Sequence, residues 1–60
     1  MFIYEFENVN TNLGRRVEAN NLQEAEKTLS NPDDFLLTRV FYPSGEVLFD
    51  IWIGMIVEVP

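Results

Sequence analysis

The sequence predicts an α+β domain of β-β-α-β-β order: a single four- to five-stranded antiparallel sheet with one short helix on one face. Three observations carry this. Residues 1–7 alternate between an aromatic face and a second face, and every second residue from Val47 to Val59 is apolar, which is strand periodicity. Between them, Leu22, Ala25 and Leu29 fall at helical spacing. Clusters of Asn, Pro and Gly separate the segments, as turns require.

Taken in order, residues 1–7 place Phe2, Tyr4 and Phe6 on one face and Ile3, Glu5 and Glu7 on the other. Asn8-Val9-Asn10-Thr11-Asn12, with Gly14 close behind, reads as a hairpin loop, because Asn tolerates left-handed backbone and bonds its own turn. Residues 15–19 resume the alternation and pair antiparallel with the first strand. Asn21-Leu22-Gln23-Glu24 fits a capping box with Asn21 as the N-cap and Glu24 at N3, so a helix over residues 22–30 follows. Asn31-Pro32 stops it, since Pro disfavours helix in the residue before it, and Asp33-Asp34 connects onward. Residues 35–42 form a third strand, Pro43-Ser44-Gly45-Glu46 a tight turn, and residues 47–59 one long strand or two segments bent at Gly54.

Sixty residues make one domain, 1–60, near the lower size limit for a single hydrophobic core. The chain has no His and no Cys, which removes the usual neutral-pH general base, thiolate metal sites and disulfides. Ser30 and Ser44 therefore have no His to activate them, and Asp33-Asp34 offers too few oxygens for a Ca²⁺ cage. The expectation is a protein that is not an enzyme and needs no cofactor or metal. Ten acidic residues against four basic give a formal charge of −6, which disfavours direct nucleic-acid binding and favours a basic partner. Asp50 and Glu58 interrupt the most apolar stretch and no basic n-region opens the chain, so no membrane contact and a host-cytoplasmic location are expected.

A nine-residue helix with three apolar side chains covers only part of one sheet face. Ile3, Leu48, Trp52, Ile56 and half of the third strand are then left for the opposite face, beside Glu5, Glu7, Asp50 and Glu58. Such an apolar patch with an acidic rim marks an interface, either between copies of the chain or with another protein. Trp52 is the candidate anchor, set against an ordinary core role. Arg39 lies in an otherwise apolar strand, where it needs a sheet carboxylate or an acidic partner. Arg15 and Arg16 sit at the hairpin tip, and Glu24 and Glu26 give the helix an acidic surface. The candidate partner-binding set is thus Glu5, Glu7, Glu24, Glu26, Arg39, Asp50 and Trp52.

Tyr4-Glu5-Phe6-Glu7-Asn8-Val9-Asn10-Thr11, Val17-Glu18-Ala19-Asn20-Asn21-Leu22-Gln23-Glu24-Ala25 and Phe35-Leu36-Leu37-Thr38-Arg39-Val40 resemble very small phage proteins of host takeover and anti-defence. They are similar to type I-F anti-CRISPR proteins and, more weakly, to the RNA polymerase inhibitor of T-odd coliphages, over roughly residues 1–50. Arg39 stands where the polymerase inhibitor has a functional arginine, whereas Phe41 replaces its second one. The resemblance implies a phage-encoded inhibitor that binds a host defence or nucleic-acid-processing complex without catalysis; the acidic residues, by default a solvated surface, in their functional version imitate a phosphate backbone. The alternatives are a homo-oligomeric assembly protein using the apolar sheet face, or a sponge that traps a nucleotide signal against Arg15, Arg16 or Arg39.

Overall fold

Five strands order themselves β2-β1-β3-β4-β5 in the computed structural model, which describes residues 1–56. The first hairpin joins β1 (Phe2–Asn8) to β2 (Gly14–Ala19) antiparallel, with Tyr4 opposite Val17 and Glu5 opposite Arg16. Its loop is organised by Asn8, whose Oδ1 accepts the N–H groups of Asn10 at 2.9 Å and Thr11 at 3.1 Å. Asn12 closes it at φ 62°, a left-handed conformation that Asn adopts more readily than most side chains.

The capping box forms as the sequence predicts at one end and shifts by a residue at the other. Asn21 Oδ1 accepts the Glu24 N–H at 2.9 Å, while the Glu24 carboxylate reaches the N–H of Asn20 at 3.3 Å. Helix α1 (Leu22–Lys27) is shorter than expected. The Thr28 hydroxyl bonds the Ala25 carbonyl at 2.7 Å and the Leu29 N–H turns back to Glu26, which tightens the last turn and ends the helix before Ser30. Leu29 nonetheless stays buried in the core. A 3-10 helix, Pro32–Asp34, replaces the expected loop and delivers the chain to β3 (Phe35–Phe41).

The turn after β3 has Gly45 at φ 100° donating its N–H to the Tyr42 carbonyl, a backbone that a side chain at 45 would strain. Then β4 (Val47–Asp50) pairs with β3, a turn spans residues 51–54 around Gly54 at φ 68°, and β5 (Met55–Ile56) returns beside β4. The bent option for residues 47–59 is therefore the observed one as far as Ile56; Val57, Glu58 and Val59 lie outside the described residues.

The helix covers one sheet face, where Tyr4, Phe6, Val17, Ala19 and Val40 meet Ala25 and Leu29. Two bulges decide which residues reach that face. In β3, Glu5 pairs with Arg39 but Phe6 with Leu37, so Thr38 is the extra residue and the alternation changes phase there. Phe35 and Leu37 join Val40 on the covered side, while Leu36, Arg39 and Phe41 take the other. In β4, Val40 pairs with Phe49 but Phe41 with Val47, which leaves Leu48 extra. Leu48, expected on the open face, is instead 8% exposed in the core, with Phe49 packed beside it.

Candidate functional site

The uncovered sheet face carries a row of alternating charge. Asp50 of β4 stands opposite Arg39 of β3, Arg39 opposite Glu5 of β1, and Glu5 opposite Arg16 of β2. Glu5 is the centre: Arg39 Nε donates to its Oε1 at 2.6 Å, and Arg16 Nε and Nη2 donate to its Oε2 at 3.2 and 2.7 Å. The carboxylate side chain is 19% exposed against 60% for Arg16, so the arginines shelter it from solvent. The hydrogen bond from Arg39 is the main cause that holds the Glu5 carboxyl below its ordinary range, with Arg16 adding to it against the opposing effect of burial. Glu5 in turn raises Arg39 above the usual guanidinium value.

Both guanidiniums also lie over Phe41, with Cζ 5.5 Å (Arg16) and 5.2 Å (Arg39) from the ring centroid, within cation–π range. The open face is therefore a charged row roofing an aromatic ring, where the sequence pattern predicts an apolar patch rimmed by acids. Thr38 explains how the row is aligned. Its side chain, in a residue only 3% exposed, donates to the Glu5 carbonyl at 3.1 Å, and its own carbonyl accepts the Ile51 N–H at 2.9 Å. One bulge residue thus fixes both the Glu5–Arg39 register and the start of the turn at residues 51–54.

That turn presents the exposed apolar groups Ile51, Trp52 and Ile53. Trp52 is 68% exposed, and Asp50 Oδ1 accepts its backbone N–H at 3.0 Å, which holds the turn's first residues. A hollow of about 430 Å³ lies between the turn and the charged row, walled by Glu5, Glu7, Arg16, Thr38, Arg39 and Trp52. Volumes of this order accept a side chain or a small molecule.

Of the sequence-predicted residues, the fold brings Glu5, Glu7, Arg39 and Trp52 around one hollow, with Asp50 paired beside it. Glu24 and Glu26 are not part of it: they are exposed on α1, on the covered side of the sheet. Arg15 pairs across from Phe6, one step out of phase with the charged row, yet it also lines the hollow. Thr38 and Phe41 are members that sequence reasoning missed, and Arg16 enters it only through the nucleotide alternative. The place of Arg16 was legible in principle, since a hairpin closed at residues 8–13 sets it across from Glu5. Thr38 and Phe41 depend on the bulge, which nothing local announces.

Among the described residues, no group of three or more Asp, Glu, His or Cys side chains could hold a metal ion, and no helix is long and apolar enough to cross a membrane. Comparison with protein-family models, curated proteins and solved structures returns no match.

Proposed function

We propose that the chain is a non-catalytic binding protein, a phage- or mobile-element-encoded inhibitor that occupies a basic surface on a host defence or nucleic-acid-processing complex. The observation that carries this reading is the exposed Trp52 beside the Glu7-walled hollow on the sheet face that α1 leaves open. An exposed indole and a carboxylate that line one hollow offer a seat for a basic side chain, which would stack on the ring and pair with Glu7. The −6 charge steers such a partner toward the chain, with Glu24 and Glu26 adding to the field from the other side. Glu5 contributes differently from the other acids: two guanidiniums neutralise it, so its role is to hold the wall in place. The same commitment of Arg16 and Arg39 to Glu5 leaves Arg15, which also lines the hollow, as the cation on which the nucleotide-sponge alternative would depend.

The test is affinity capture from bacterial lysate with a tagged copy at low salt, followed by elution at high salt and mass spectrometry. A nucleic-acid-processing complex that elutes with salt, and that Trp52→Ala and Glu7→Lys each fail to capture, is the expected result. Capture of nothing, or capture indifferent to both substitutions, would overturn the reading. Loss of Trp52 should weaken binding by on the order of 2 kcal/mol, about thirtyfold, as for a central aromatic anchor.

A further inference from the structure

We propose that the free edge of β2 pairs with β2 of a second copy, antiparallel about Val17, to make one continuous sheet across a two-fold axis. Strand β2 ends the described sheet on one side, and it is the longer of the two edge strands, six residues against two in β5. It carries no proline, so every second residue, the ones whose N–H and C=O point away from β1, has both a backbone donor and an acceptor to offer a neighbour.

The side chains select the partner. Arg16 and Glu18 are exposed and two residues apart, hence on the same face, the one that carries the charged row. Pairing about Val17 sets Arg16 against the partner's Glu18, and Glu18 against the partner's Arg16. Parallel in-register pairing would instead oppose like charges at both positions, which is destabilising. The edge is therefore complementary to itself in one direction only, as an isologous interface requires.

The row that crosses the sheet leads to the same conclusion. It runs Asp50, Arg39, Glu5, Arg16, negative and positive in turn, and stops on a cation at the free edge. Arg16 spends Nε and Nη2 on Glu5, which leaves Nη1 to donate outward. The partner's Glu18 is the next charge in the alternation. On the other face, the pairing sets Val17 beside its own copy and Arg15 beside the partner's Ala19. Arg16 belongs both to this edge and to the wall of the hollow, whereas Trp52, on the turn after β4, lies outside β2.

Sedimentation equilibrium at low salt, from micromolar to millimolar protein, tests the interface. The wild-type chain should reach twice the monomer mass. Glu18→Arg and Arg16→Glu should each weaken association by roughly tenfold or more, since each turns two attractive cross-strand pairs into repulsive ones. An equimolar mixture of the two variants should recover the dimer, because the wholly basic edge left by Glu18→Arg then faces the wholly acidic edge left by Arg16→Glu. Glu18→Arg removes no side-chain hydrogen bond seen among the described residues, and circular dichroism checks that both variants remain folded. Hydrogen exchange supplies a reading independent of substitution: β2 amides should become more protected as the wild-type concentration rises. A wild-type chain that stays monomeric, a dimer indifferent to Glu18→Arg, or β2 amides whose protection ignores concentration would overturn the proposal. Capture of a host complex through Trp52 is read separately and survives any of these outcomes.

Discussion

The two faces of this sheet are built from the same strands and hold together by different means. Toward α1, Tyr4, Phe6, Val17 and Val40 are removed from water and stabilise the fold through apolar burial. Away from it, Ile3 and Phe41 stay only half buried, and the face is fixed by Glu5 gripping Arg16 and Arg39 above the Phe41 ring. Apolar burial is non-directional and asks only that the right side chains face the helix, whereas the charged row also needs donors and acceptors at hydrogen-bond distance. The covered face should therefore set how stable the chain is, and the open face how well its binding surface is defined.

Truncating the covered face should give the largest effect. Tyr4→Ala empties a fully buried position and should cost about 3 kcal/mol or more, enough to abolish cooperative thermal unfolding in a domain with so small a core. Tyr4 also senses that burial directly: its phenol is pushed above the usual tyrosine value first by desolvation and then by Glu24. Next comes the helix that covers the face. Asn21→Ala removes the side chain that accepts the Glu24 N–H and should lower stability by about 1 kcal/mol in urea titration.

On the open face the effect is smaller and depends on pH. Because Glu5 is held below its ordinary range in the folded chain, its ion pairs contribute in full above the unfolded carboxylate value and are lost as pH falls through the depressed one. Glu5→Gln should cost no more than about 1 kcal/mol at neutral pH, since both arginines are substantially solvated. The difference between wild type and variant should shrink as the pH is lowered, a convergence that urea midpoints across acid pH would reveal. The smallest stability change belongs to Trp52→Ala, within about 0.5 kcal/mol because the indole is largely in water. A large loss of stability there would mean that Trp52 is a core residue and would contradict the division of labour between the faces.

Much of the architecture follows from local signals. The aromatic alternation of β1, the Asn-rich loop, the Asn21 cap and the Gly45 turn each depend on residues a few positions apart, so the order of elements and the covered face of β1 can be read from the chain alone. The same holds for the helix start, though not its end, where the Thr28 hydroxyl competes for the backbone. The candidate site was legible only as an inventory. Glu7 and Trp52 could be named as interface candidates, but nothing in the sequence separates them from Glu24 and Glu26, which the fold sends to the other side.

What the sequence by itself determined is therefore the set of strands, the capped helix and the excess of acid. Tertiary structure decided the two bulges, at Thr38 and Leu48, and with them which half of β3 faces water, why Leu48 is core and how Glu5 comes to lie between two arginines. The physical reason is range. Periodicity and capping act within a turn or two of chain, whereas Glu5 and Arg39 meet across 34 positions, in a register that β1 and β3 fix only when they pair and Thr38 bulges out between them.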